Sequence, residues 1–146
     1  RTFLVGALSM LGAGSTLVVG VDLAKDVDVL VAAYDDAQGV TAAFNKNLLV
    51  RMQRELNAEL DLDGFEHRAI WNAEASRIEM HLVAKGPQTI RVGGHAFDFA
   101  AGESLHTESS HKYDLERFAA LVEAAGWRIG QVWTTEPPYA LVLLES

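Results

Sequence analysis

Glu108 and Ser110 are the residues whose types and spacing point most directly to chemistry. They lie in a polar segment, residues 105–113, and if this segment is extended their side chains point the same way. An ionised carboxylate only accepts hydrogen bonds, whereas a hydroxyl donates or accepts, so the pair can satisfy both nitrogens of a neutral imidazole. Most Glu-x-Ser pairs are instead solvated strand faces, so the pattern alone leaves both interpretations open.

Five histidines raise the question of a metal site, because imidazole is a common metal ligand. None of them forms a close pair at helical spacing, as in H-E-x-x-H, and on strands a shared face requires even offsets and a matching register. We therefore expect no metal site and interpret them as separate surface or cross-strand side chains: His67, His81, His95, His106 and His111.

The composition is that of one globular domain, with 146 residues of which 49% are hydrophobic and 22% charged. A net charge of -8 argues against nucleic acid and anionic membrane surfaces as partners. The absence of cysteine excludes disulfides, thiolate nucleophiles and Cys-ligated zinc, and it favours a cytoplasmic location. No G-x-G-x-x-G, Walker or G-x-S-x-G motif is present, so the sequence carries neither a dinucleotide nor a serine-hydrolase signature.

The uncharged run of residues 2–21 could pass for a signal peptide or a membrane span. The breaker cluster at residues 12–15 favours instead a helix over residues 3–11, a turn, and a strand over residues 17–21. This strand is continuously apolar, which predicts burial on both faces of a parallel sheet. Asp22 follows it at the edge where α/β sheets bind ligands, but a role as cap of the next helix is favoured.

Apolar residues at helical spacing predict three further helices, over residues 26–34, 41–60 and 115–125. Phe44 and Met52 fall on the apolar stripe of the second helix and are predicted to be core. Turn residues and alternation predict four extended segments, residues 66–72, 77–84, 89–99 and 104–112. The turn at residues 136–138 predicts a closing antiparallel hairpin of residues 127–134 and 139–144. This order of elements predicts an α/β fold with an inserted α+β region.

Six stretches, taken in order, are more specific than any single motif: residues 21–26, 33–36, 39–45, 77–82, 102–103 and 107–113. Together with Trp127 and Trp133 they resemble the histidine-specific S-adenosylmethionine-dependent methyltransferases of ergothioneine biosynthesis, over nearly the whole chain. The resemblance implies the later strands of a Rossmann-like methyltransferase sheet. It places a helix and strand of that core in residues 1–23, an inserted α+β substrate-binding region in residues 24–112, and a core helix with the C-terminal β-hairpin in residues 113–146.

The resemblance also implies roles for individual residues. Tyr34 resembles the tyrosine that holds the carboxylate end of the amino acid, and Met80 the methionine that forms the pocket wall beside the imidazole. Glu108 and Ser110 correspond to the pair that hydrogen-bonds the ring, the role that their chemistry suggests. The implied reaction converts L-histidine to its Nα-trimethyl betaine, hercynine, with S-adenosylmethionine as cosubstrate. No residue is identified as a general base.

The family's glycine-rich cofactor loop, its ribose-binding acidic residue and its asparagine near the substrate amine precede the part resembled here. We therefore expect a C-terminal fragment of a longer enzyme, with the cofactor site largely outside it and no activity by itself. Exposed sheet edges would favour a homo-oligomer. The alternative is a noncatalytic amino-acid-binding or assembly module of the same fold, which the sequence leaves open.

Overall fold

The computed structural model describes all residues from Arg1 to Ser146, which form two compact units. The terminal unit comprises Arg1–Lys25 and His111–Ser146, and the central unit comprises Asp26–Ser110. The helices are α1 (Thr2–Leu11), α2 (Val27–Tyr34), α3 (Val40–Leu56) and α4 (Leu115–Glu123). The strands are β1 (Thr16–Asp22), β2 (Phe65–Asn72), β3 (Arg77–Ala84), β4 (Gln88–Val92), β5 (His95–Phe99), β6 (Ser104–His111), β7 (Arg128–Thr135) and β8 (Tyr139–Glu145). None of these helices combines the length and the apolar character needed to cross a membrane.

The terminal unit is built on a three-stranded sheet in the order β1-β8-β7. Its β7–β8 pair is the predicted antiparallel hairpin, which is confirmed. Side chains of α1 and α4 pack against one face of the sheet, where Val122, Val142 and Leu144 are fully buried. The Trp127 indole N–H donates to the carbonyl oxygen of Leu4 at 2.8 Å, so the buried ring keeps its polar atom paired.

Strand β1 differs from the prediction of a strand buried on both faces of a parallel sheet. It pairs antiparallel with β8, with Val19 opposite Val142. Val19 packs towards the core, whereas Val18 on the other face is 59% exposed. The apolar run predicted burial on both faces, but the helices of this unit cover only one of them. The β1–β8, β7–β8, β2–β3 and β4–β5 pairs are all antiparallel, so the chain has a mixed α/β architecture with small sheets, and the expected Rossmann-like sheet is not seen.

The central unit holds a sheet in the order β2-β3-β6 and a separate β4–β5 hairpin. Alternate residues of β3 point to the helices: Ile78 packs in a cluster with Leu30 of α2, and Leu82 packs in a cluster with Leu49 of α3. Met80 lies between them on the same strand and is also buried. Strand periodicity therefore places Met80 between the two helix-packed clusters.

The extended segment predicted over residues 89–99 is two strands rather than one. Gly93 and Gly94 both have positive φ, 58° and 79°, and Val92 pairs with His95 across them. A two-residue turn with positive φ at both positions reverses a chain with the twist of a hairpin, and glycine adopts it without steric cost. The Gly-Gly pair therefore splits this segment into β4 and β5.

The end of α3 and the N-cap of α2 also differ from the sequence prediction. Helix α3 ends at Leu56 because Asn57 adopts the left-handed conformation, with φ of 51°, where a helix stops. Helix α2 is capped by Asp26, whose carboxylate accepts from the backbone N–H of Asp28 at 2.9 Å. The favoured role of Asp22 as that cap is therefore wrong.

Candidate functional site

Three of the four residues singled out from the sequence line one cavity of the central unit. The cavity has a volume of about 290 Å³ and is lined by Tyr34, Met80 and Glu108, with Ala33, Val40, Thr41 and Phe44 completing the wall. Tyr34 ends α2, Met80 is on β3, and Glu108 is on β6. One carboxylate, one phenol and a largely apolar wall therefore converge from three elements.

Ser110 joins this group through Tyr34. The two hydroxyl oxygens, Tyr34 Oη and Ser110 Oγ, lie 2.7 Å apart in a hydrogen bond. Thr107 Oγ1 donates to the backbone oxygen of Met80 at 2.9 Å, which ties β6 to β3 beside the cavity. The predicted residues on β6 are thus held against the strand that carries Met80.

Met80 and Glu108 differ in their exposure to solvent. Met80 is 3% exposed, and its thioether contributes apolar surface to the cavity wall. Glu108 is exposed. It also lines a second cavity of about 180 Å³, together with Asn45, Arg51 and Thr107. Glu108 therefore borders two neighbouring depressions of the same unit.

Phe44 is a site residue that sequence reasoning assigned to the core. It lies on α3 and is 66% exposed, with its ring on both cavities of the central unit. Met52, predicted as core with it, does pack against the core cluster that contains Leu49. The apolar stripe of α3 thus contributes Met52 to the core and Phe44 to the cavity walls. Only the position of the neighbouring elements distinguishes the two residues.

His67 and Asn45 form a network behind Tyr34 that the sequence analysis missed. His67 Nε2 donates to the backbone oxygen of Tyr34 at 2.8 Å. Its Nδ1 must then accept, and Asn45 Nδ2 donates to it at 3.0 Å. Asn45 Nδ2 also donates to the backbone oxygen of His81 at 3.2 Å. The network fixes the end of α2 that presents Tyr34.

Asp36 anchors the loop between Tyr34 and helix α3. Its carboxylate accepts from the backbone N–H groups of Thr41 at 2.8 Å and Val40 at 3.0 Å. These hydrogen bonds lower the pKa of Asp36 to about 2, so it is ionised at neutral pH. Asp36 thereby fixes the short segment that connects Tyr34, which lines the cavity, to the N-terminus of α3.

The histidines are not all separate. The rings of His81 on β3 and His106 on β6 stack with centroids 4.7 Å apart, a cross-strand pair of the kind that the sequence analysis allowed. Glu79 lies beside them, with Oε2 at 3.2 Å from His81 Nε2. Even spacing along β3 brings Glu79 to His81, but the sequence alone did not indicate that His106 would join them.

Asp22, the candidate at the end of β1, borders a cavity of about 400 Å³ in the terminal unit, but both of its carboxylate oxygens make ion pairs. Its Oδ2 lies 2.6 Å from the buried ammonium of Lys112, and its Oδ1 lies 2.9 Å from that of Lys25. Burial alone would raise the pKa of Asp22, but the hydrogen bonds from Lys112 and Lys25 outweigh it and lower the pKa. Asp22 is thus a structural anion of the terminal unit.

The sequence profile of a family described as histidine-specific, SAM-dependent methyltransferases matches residues 1–146. Histidine N-alpha-methyltransferase of Mycolicibacterium smegmatis is 48% identical over 134 residues, which cover 90% of this chain and 42% of that protein. The protein of the same name from Mycobacterium tuberculosis is 45% identical over 136 residues, covering 92% of this chain and 42% of that protein.

A more distant relative is ergothioneine biosynthesis protein 1 of Schizosaccharomyces pombe, 22% identical over 129 residues, which cover 88% of this chain and 17% of that protein. The chain thus spans well under half the length of these relatives. The family match nevertheless extends over the whole chain and confirms the resemblance inferred from the sequence. The chain therefore belongs to the family of histidine-specific, SAM-dependent methyltransferases.

Proposed function

We propose that the central unit binds the side chain of L-histidine in an enzyme that methylates the α-amine of this amino acid to give hercynine, a step of ergothioneine biosynthesis. The observation that carries the proposal is the convergence of Tyr34, Met80 and Glu108 on one cavity, with Ser110 hydrogen-bonded to Tyr34. The names of the bacterial relatives, histidine N-alpha-methyltransferases, support this substrate.

The chemistry of an imidazole fits this set of side chains. Glu108 accepts a hydrogen bond from the ring N–H, and the hydroxyl of Ser110 donates to the other ring nitrogen. Each hydroxyl has one hydrogen, so the Tyr34–Ser110 bond opens when the amino acid binds: Ser110 then donates to the ring nitrogen and Tyr34 to the carboxylate. Met80 and Phe44 supply apolar surface to the two ring faces, and Tyr34 holds the carboxylate end of the amino acid.

Binding and orientation are the tasks that we assign to this chain. Transfer to an amine requires a deprotonated nitrogen in line with the methyl group, and most of the rate enhancement comes from positioning. Hydrogen bonds at the imidazole and at the carboxylate fix the amino acid at both ends. None of the residues at the cavity is assigned as a general base.

S-adenosylmethionine supplies the methyl group in this family, but this chain lacks the glycine-rich turn that commonly cradles a nucleotide cofactor. Strand β1 ends at Asp22, whose carboxylate is occupied by Lys112 and Lys25. No glycine-rich turn joins a strand to a helix N-terminus here, the arrangement that binds nucleotide phosphates and ribose in doubly wound folds. We therefore place the cofactor site largely outside these residues.

Sheet edges of the terminal unit support association with another chain. β1 and β7 are the edge strands, and Val18, Trp133 and Leu141 are exposed on them and on β8. Unpaired edge strands and this exposed apolar face both favour association, so we propose a homo-oligomer through this sheet. Light scattering after gel filtration would give a monomer mass if this is wrong. The lack of cysteine agrees with a cytoplasmic protein.

The decisive experiment uses the full-length protein that carries this chain. Calorimetry with L-histidine and mass spectrometry of the product should show histidine binding and hercynine. Ser110→Ala should weaken histidine binding by about 1 kcal/mol, roughly fivefold, the usual contribution of a neutral hydrogen bond. Ser109→Ala, one residue away on β6, is the matched control and should bind as the wild type. Histidine binding without methylation would select the noncatalytic module, and no binding would overturn the proposal.

A further inference from the structure

Glu79, His81 and His106 bring one carboxylate oxygen and two imidazole nitrogens within 4.8 Å of one another. Glu79 and His81 lie on β3, and His106 lies on the adjacent strand β6. Glu79 Oε2 and His81 Nε2 are 3.2 Å apart. Two ligands of a tetrahedral zinc ion, each bound at about 2.0–2.2 Å, lie at a similar separation. The pair is thus already spaced for one ion.

Glu79 is held in the ionised form that a metal ligand requires. Its Oε1 accepts from Arg77 Nε at 2.7 Å and from Asn72 Nδ2 at 2.9 Å. These hydrogen bonds fix the carboxylate and turn Oε2 towards His81. Ligating carboxylates in proteins are generally oriented by such outer hydrogen bonds. The neighbouring guanidinium reduces the affinity for a cation but does not occupy the oxygen that would bind it.

His81 has a partner on each ring nitrogen, and the Ser104 hydroxyl can pair with Nδ1 in either tautomer. A carboxylate only accepts, so Nε2 carries the hydrogen when it faces Glu79, and Nδ1 then accepts from Ser104 Oγ at 3.3 Å. When an ion binds Nε2, the hydrogen on that nitrogen passes to solvent and Nδ1 takes one up. Because a hydroxyl also accepts, Ser104 pairs with Nδ1 in both states.

His106 completes the set from the other strand. Its Nε2 donates to the backbone oxygen of Glu108 at 2.9 Å, which leaves a lone pair on Nδ1. The two rings are tilted by only 19°, and nearly parallel stacked rings do not direct both lone pairs at one point. Coordination therefore requires His106 to turn out of the stack, and its side chain is exposed and has room to do so.

We propose that Glu79, His81 and His106 form a site for a divalent transition-metal ion of the zinc class, clamping β3 to β6. Two imidazoles and one carboxylate suit zinc and its neighbours, whereas magnesium and calcium prefer oxygen ligands. The proposal departs from our sequence-based expectation of no metal site, because strand pairing brings together residues that no local motif connects. It is independent of the proposed methyltransferase function.

The test uses the 146-residue chain without histidine, since free histidine itself chelates metals. Zinc titrated in a calorimeter should give one saturable site and raise the melting temperature, because an ion that binds only the folded state stabilises it. His106→Gln should weaken zinc binding at least tenfold, and Glu79→Gln should do the same. His95→Gln, an exposed histidine on β5, is the matched control and should leave binding unchanged. Magnesium should give no heat.

Cobalt adds a spectroscopic measurement that does not depend on stability. Tetrahedral coordination by two imidazole nitrogens, one carboxylate oxygen and a water molecule should give visible absorption bands in the wild type that His106→Gln abolishes. Absence of saturable zinc binding, or equal binding by the wild type and His106→Gln, would overturn the proposal. Because His106 is exposed, its variant decides the matter even if Glu79→Gln fails to fold.

Discussion

Tyr34 Oη and Ser110 Oγ lie 2.7 Å apart, although 76 residues separate them in the chain. The bond joins the last residue of α2 to β6, and Glu108 on that strand lines the same cavity as Tyr34. A residue proposed to hold one end of an amino acid is therefore hydrogen-bonded to one proposed to hold the other end. Removing either hydroxyl should therefore weaken the contacts of the protein with both ends of the bound amino acid.

Glu108→Ala in the full-length protein should weaken histidine binding by about 1.5–3 kcal/mol, the range for a hydrogen bond to a charged group. The measurement is the dissociation constant for histidine by calorimetry, together with KM and kcat. Glu74→Ala changes an exposed glutamate of the same unit and should have no effect. Unchanged binding and turnover in Glu108→Ala would remove Glu108 from the site.

The Met80→Val, Glu108→Ala double variant should relax selectivity towards bulkier aromatic amino acids. It removes the carboxylate that demands a ring N–H and enlarges the apolar wall. The ratio of kcat/KM for histidine to that for tryptophan or phenylalanine should fall by more than tenfold, or about 1.4 kcal/mol. A ratio that stays within about twofold would show that these residues do not set specificity.

The isolated chain should not bind S-adenosylmethionine measurably, because it has no glycine-rich turn between a strand and a helix N-terminus. Calorimetry of the 146-residue chain with S-adenosylmethionine is the measurement. The full-length protein is the positive control and should bind the cofactor. A stoichiometric micromolar isotherm with the isolated chain would place the cofactor site within these residues.

Asn45→Ala should destabilise the protein by about 1–3 kcal/mol, because it leaves His67 Nδ1 and the backbone oxygen of His81 without their donor. Urea denaturation followed by circular dichroism measures the free energy of unfolding. Asn47→Ala, an exposed asparagine of the same helix, is the matched control and should change it by less than about 0.5 kcal/mol. Equal stability of the two variants would mean that the network does not support the fold.

The pH dependence of stability should carry a contribution from Glu79. Hydrogen bonds from Arg77, Asn72 and His81 lower its pKa from 4.5 to about 2 in the folded protein. Between these values the unfolded chain binds more protons, so this contribution is complete above pH 4.5 and is lost as the pH falls towards 2. Unfolding free energies measured across this range should vary less steeply in Glu79→Gln than in the wild type. An identical pH dependence of the unfolding free energy in both proteins would contradict the lowered pKa of Glu79.

The sequence by itself determined what is local. Alternation predicted the bounds of β3, turn residues predicted the β7–β8 hairpin, and several motifs in one order identified the family. The complementarity of Glu108 and Ser110 to an imidazole stays a prediction, drawn from residue type and a spacing of two. Each of these features is decided by neighbours in the chain.

The tertiary structure decided which apolar and polar side chains meet. An apolar run does not reveal whether a second layer covers it, and so Val18 of β1 is exposed although the pattern predicted burial. Helical spacing placed Phe44 on a core stripe, but its ring lies at a cavity. The pairing of β3 with β6 brings His106 to His81. Contacts between residues distant in sequence depend on strand order and helix placement, which local periodicity does not encode.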